Sequence, residues 1–113
     1  MSPRDLVYAG HMLDMARKAV TKTRGLSRQE YDADENLRLA LIHLIQVIGE
    51  AARQVSKDFT DEHPEVPWAD IVGMRHKVVH DYLGVDEDIV WEVVSSDLPK
   101  LVAALEPLVA PAP

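Results

Sequence analysis

The stretch Gly73 to Tyr82, GMRHKVVHDY, gathers an arginine, a lysine, two histidines, an aspartate and a tyrosine, with two valines as its only branched aliphatic residues. Each polar type has a chemistry. A histidine, with an unperturbed pKa near ~6.5, serves as general base or general acid close to neutrality. An arginine stays charged and grips a phosphate or carboxylate through two parallel hydrogen bonds. Arg75 and His80 are therefore the candidate catalytic pair, a phosphate clamp and an acid–base group. Three other readings compete. The charges could be a solvated face. Arg75 could pair with an acid on a neighbouring helix, and His80 could be a satisfied, half-buried histidine. His76 and His80, four apart, could share a metal ion with Asp81 beside them, but a third ligand and the glutamate of HExxH are both missing. The sequence thus calls for no metal and no cofactor.

Helical geometry limits how the pair can act. Five residues turn through about 500°, which leaves Arg75 and His80 about 140° apart and ~7.5 Å along the axis. They do not share a stripe of a straight helix. The arginine must reach around, the helix must loosen near Asp81, or a second copy of the chain must complete the site about a two-fold axis. Tyr82 falls about 20° from Arg75, two turns on, and so shares its face. His76 and Lys77 add local positive charge beside the pair.

The elements that carry these residues read as helices. Ser2-Pro3 begins the first, with Leu6, Ala9, Leu13, Ala16 and Val20 as its apolar stripe and Gly25 to close it. Ser27 to Glu30 fits a capping box. Asp34 precedes a long helix striped by Leu37, Leu41, Leu44, Ile48, Ala51 and Val55. Glu50 sits on that helix, where a buried partner or a site-lining role is expected. Residues 57–67 read as a loop, and Pro67 as the first residue of the helix that holds Arg75. Gly84 stops that helix, Asp86 caps the next, and Asp97-Leu98-Pro99 reads as a break or restart. Trp68 and Trp91 read as core or interface residues. No alternating strand pattern survives, so the fold class is all-α, a bundle of four to five helices in one domain over residues 1–108. Residues 109–113 read as a disordered tail.

Composition narrows the functional classes. The chain has 113 residues, enough for one core. It has no cysteine, hence no disulfide framework, which suits a reducing cytoplasm. No apolar run is long enough to span a membrane, and MSPRDL lacks the apolar core of a signal peptide. The net charge of −7 weighs against general attraction to nucleic acid, so any such binding must come from a local patch.

Arg75, His80 and Tyr82, read together with Pro67-Trp68, Gly73-Met74, Gly84-Val85-Asp86, Trp91 and Asp97-Leu98-Pro99, form an ordered set that resembles the HEPN superfamily. Within it the set is similar to the HepT-like toxins that are paired with minimal nucleotidyltransferases. Ile48 to Ala52, IGEAA, adds to the likeness, which spans roughly Asp34 to Leu108. The residue after the arginine is His76, where relatives often carry asparagine. The resemblance implies a HEPN-type dimerising bundle and a metal-independent endoribonuclease toxin of a type II/VII-like toxin–antitoxin pair. It implies Arg75 and His80 as the catalytic residues in a cleft between two protomers of a homodimer, with His76, Lys77 and Glu50 as possible site-lining residues. It also implies a partner, a nucleotidyltransferase antitoxin that transfers AMP to Tyr82. The alternative is a non-catalytic HEPN binding subunit of a nucleotidyltransferase, in which Arg75 would hold a nucleotide phosphate. A purely structural dimerising bundle is the third reading.

Overall fold

A computed structural model of the chain describes residues 3–78 and 84–109. Among them every regular element is helical: α1 (Pro3–Thr23), α2 (Arg28–Ala33), α3 (Glu35–Gln54), α4 (Lys57–Glu62), α5 (Trp68–Val78), α6 (Glu87–Glu92), a π turn (Val93–Asp97) and α7 (Leu98–Leu105). The all-α expectation holds. α3 lies between α1 and α5, and α1 packs on its other side against α7. Buried side chains form one cluster that runs from Ala9 to Leu105. No helix among the described residues is long and apolar enough to cross a membrane.

Local chemistry sets the helix ends. Gly25 adopts φ 78°, a left-handed conformation that lets the chain leave α1 at little steric cost. Ser27 and Glu30 form the expected reciprocal capping box. The Asp34 carboxylate accepts from the Leu37 N–H at 3.0 Å, and the Asp86 carboxylate from the Ile89 N–H at 3.2 Å. In α3 the expected stripe is buried at Leu41, Leu44, Ile48, Ala51 and Val55, and Ile45 and Ala52 widen it.

One expectation is corrected and two are met in part. The α1 stripe is buried as read at Ala9, Leu13 and Ala16, with Val20 packed against the core. Leu6 is 39 % exposed, and Met12 and Ala19 are fully buried beside the stripe. Asp5 is buried too and accepts from the Ser56 N–H at 2.8 Å and the Ser56 hydroxyl at 2.7 Å. Ser56 is also the cap of α4, accepting from the Phe59 N–H at 3.2 Å, and the segment read as a loop over 57–67 contains that helix. One buried side chain, Phe59, gives α4 its place in the core. Finally, Asp97-Leu98-Pro99, read as a break or restart, is where α7 begins, after a π turn and without a gap in the helix. Pro99 has no N–H and its ring would collide with the carbonyl four residues back. The chain absorbs this by widening one turn, so that the Leu98 N–H donates to the Val93 carbonyl five residues earlier, and α6 runs on into α7.

Candidate functional site

α5 carries Arg75, and its start is fixed first. Val66 is buried, and the Trp68 indole N–H donates to the His63 carbonyl at 2.9 Å. The Trp68 ring meets Phe59 edge-on, with centroids 6.0 Å apart. Trp68 is thus a packing residue at the α4–α5 corner, as read from the sequence. Ile71, Met74 and Val78 then bury the inner face of α5.

That inner face meets α3 at Gly49. A Cβ placed on Gly49 would lie 3.4 Å from the Ile71 carbonyl oxygen and 3.8 Å from that of Val72. Absence of a side chain at 49 therefore lets the two backbones approach closely. The next residue on α3 is Glu50. It is exposed, with no buried partner, and accepts from Arg53 and from Gln54, each at 3.2 Å. Those two hydrogen bonds, Arg53 foremost, hold its carboxyl below the usual carboxylate range, and the nearby Arg75 charge pulls in the same direction. Glu50 on α3 is thus close enough to α5 for its carboxyl to feel the Arg75 charge.

Arg75, His76 and Lys77 are exposed in the last turn of α5. The charges of Arg75 and Lys77 there suit the negative end of the helix dipole. They do not share a face. Two residues on α5 turn through about 200°, so Lys77 points away from Arg75. It lines a groove of about 610 Å³ between α5 and the α6–α7 run, floored by Ile71, Met74 and Leu98. Of the residues expected near the arginine, Glu50 is engaged by Arg53 and Gln54 and feels the Arg75 charge, while Lys77 lies on the other side of the helix. His80 and Tyr82 lie outside the described residues, as does Asp81.

The residues on either side of that stretch are firmly held. The Asp86 N–H donates to the Val78 carbonyl at 2.9 Å, which joins the end of α5 to the start of α6. Gly84, at φ 114°, takes a backbone conformation that other residues rarely adopt. A polar cluster missed in the sequence anchors α6 from outside. The hydroxyl of the fully buried Tyr31 donates to Glu87, and Arg38 pairs with the same carboxylate at 3.4 Å. Burial, then the Glu87 hydrogen bond, raise the Tyr31 phenol above its ordinary range. Arg28 bonds Asp32 at 2.8 Å and Asp88 at 2.8 Å, so both acids of the first α6 turn are tied to α2 or α3. The available signal was Tyr31 itself, a lone aromatic in an otherwise polar six-residue helix. Trp91 packs against it at 5.2 Å, in the core role expected for it.

Comparisons with known proteins place the chain in a family. Residues 12–108 match the family described as "Ribonuclease HepT-like". The chain is 33 % identical over 107 residues to the Methanocaldococcus jannaschii protein named "Putative RNase MJ1380", covering 94 % of this chain and 98 % of that one. It is 34 % identical over 94 residues to "Putative RNase TTE0752" of Caldanaerobacter subterraneus, covering 83 % and 84 %. It is 36 % identical over 86 residues to "Probable ribonuclease HepT" of Thermococcus cleftensis, covering 76 % and 78 %. No solved structure matches it significantly. The family match spans α3, the Gly49 seam and the whole of α5 and α6 that hold Arg75 in place, and the chain belongs to the HepT-like ribonucleases of the HEPN superfamily.

Proposed function

We propose that this ribonuclease is a metal-independent endoribonuclease toxin, acting as a homodimer in the cytoplasm and silenced by a minimal nucleotidyltransferase antitoxin. The observation that carries the reading is the position of Arg75. It is exposed at the end of a rigidly packed helix, five residues before His80, on a chain of the HepT-like family. In the reaction the RNA 2′-hydroxyl attacks its own phosphorus. His80 takes the 2′ proton as general base, and an imidazolium returns a proton to the departing 5′ oxygen. Arg75 neutralises the charge that builds on the phosphate oxygens. A 2′,3′-cyclic phosphate and a free 5′-hydroxyl result. Glu50, already engaged by Arg53 and Gln54, orients Arg75 at the seam rather than exchanging protons.

The two-fold dimer supports this chemistry because Arg75 and His80 diverge by about 140° on a regular helix. Two copies would supply two arginines and two histidines to one cleft. The antitoxin would attach AMP to Tyr82, two turns from Arg75 and on its face. A second reading, a non-catalytic subunit of a nucleotidyltransferase, uses the same arginine to hold a nucleotide phosphate. Induction of the isolated chain separates the two readings. Growth arrest with degradation of total RNA, absent for His80→Ala, is the outcome expected of the toxin. Normal growth and intact RNA on induction of the wild type favour the binding subunit.

A further inference from the structure

Away from Arg75, α1 and α3 enclose an open groove of about 610 Å³ whose charged lining is entirely basic. Arg17, Lys18 and Lys22 of α1 face His43 of α3 across a floor of Ala40 and Leu44. Arg17 is engaged by Glu106 at 2.8 Å. Lys18 and Lys22 make no ion pair among the described residues, and both are exposed. They stand one helical turn apart, on one face of α1. On a chain of net charge −7 these side chains form a local basic patch that a phosphate backbone complements.

We infer that this α1–α3 groove is a second RNA-binding surface, which holds the phosphate backbone at a distance from the cleavage site through Lys18 and Lys22. The inference rests on the ribonuclease reading above for the identity of the anion. The geometry links the two places. His43 and Glu50 are seven residues apart on α3, close to 20° around the helix and ~10.5 Å along it. Both are exposed, so one solvent-facing stripe of α3 runs from the basic groove toward the seam where α3 meets α5 at Gly49 and Glu50 feels the Arg75 charge. Along that stripe Glu50 is the residue that would repel a phosphate, and Arg53 already offsets its charge at 3.2 Å. A strand clamped at Arg75 can follow the stripe and lay its next phosphates in the groove. No Phe, Tyr or Trp lines the groove, so contact is chiefly to the backbone and carries little sequence preference. The groove would add affinity and processive grip, and leave the choice of cleavage position to the site at Arg75.

The test uses a fluorescent 2′-O-methyl oligoribonucleotide, which cannot be cleaved because its nucleophile is blocked, and reads binding by anisotropy over a salt series. Lys18→Glu/Lys22→Glu is compared with Lys57→Glu/Lys100→Glu, which makes the same change in net charge on α4 and α7. The groove variant should bind about tenfold more weakly or worse, and its salt slope should fall by about 1.4 for two lost phosphate contacts. The control should stay within about twofold of wild type. Equal weakening in the two variants would reduce the effect to net charge and overturn the inference. So would unchanged binding in the groove variant, or no RNA binding by the wild type. Cleavage of ordinary RNA of the same sequence is scored separately. If the groove effect appears and no cleavage does, the nuclease reading fails and the groove stands.

Discussion

The backbone N–H of Asp86 donates to the carbonyl of Val78 at 2.9 Å, so the two residues that flank the His80–Tyr82 stretch are hydrogen-bonded to each other. Val78 is fully buried at the end of α5, and Asp86 caps α6. Arg28, Tyr31 and Arg38 then fix the first turn of α6 through Asp88 and Glu87. The anchoring of both ends is a property of the described structure, and it sets the frame in which the proposed catalytic residues must sit.

Tyr31→Phe removes one hydrogen bond to a charged acceptor while Glu87 keeps Arg38, and should cost about 1–2 kcal/mol in urea unfolding. The pH dependence gives a sharper signature. The folded-state pKa of Tyr31 is raised by burial and by Glu87, so the native state favours the neutral phenol. Its contribution is complete below the unfolded tyrosine pKa near ~10 and declines as pH rises above it. The stability gap between wild type and Tyr31→Phe should therefore narrow in alkali. A gap independent of pH would show that the hydroxyl is not held as described.

Gly49 offers a test of the α3–α5 seam. Ala fits at ordinary contact distance, 3.4 Å from the Ile71 carbonyl oxygen, and should change stability by no more than ~1 kcal/mol, since helix propensity favours it. Leu must displace the α5 backbone and should cost about 1–3 kcal/mol. It should also lower nuclease activity more than stability alone explains, because it moves Arg75 away from Glu50. Gly49→Leu with full activity would separate the seam from the site.

The proposed dimer predicts a solution mass of twice 12.6 kDa by light scattering at micromolar concentration. A monomer at that concentration would remove the composite cleft from the account.

Attachment of AMP to Tyr82 would bring a phosphodiester charge beside Arg75 and repel the RNA backbone. Incubation with the partner nucleotidyltransferase and ATP should add one AMP, or a short run of them, to the wild type by intact mass. Tyr82→Phe should take none and stay active in its presence. Equal adducts on both proteins, or neutralisation with no adduct on either, would point to another route of inhibition.

Much of this fold is legible where the determinants are local. The Ser27–Glu30 box, the Asp34 and Asp86 caps and the α3 stripe depend on neighbours within a turn or two, and sequence spacing reports them. α4 depends on Ser56, which is held by Asp5 from the opposite end of the chain, and on a single buried ring, Phe59. A six-residue helix with one apolar anchor gives no period to read. At the site, residue types and spacing single out Arg75 as a candidate, but that its charge is felt by Glu50 follows from how closely α5 approaches Gly49, a distance that no spacing encodes. The separation of Lys77 from Arg75 was already implicit in the helical period. It becomes apparent once the groove that receives Lys77 is defined.

The central claim is that Arg75 and His80 cleave RNA without a metal. Its most direct measurement is cleavage of a defined RNA by the purified chain with EDTA present, with wild type, Arg75→Ala and His80→Ala compared and product ends identified by mass. The account predicts undiminished cleavage by the wild type, 2′,3′-cyclic phosphate ends or their hydrolysis product, and loss of at least ~10²-fold in each variant. Activity that persists in His80→Ala, or that vanishes with chelator, would contradict it.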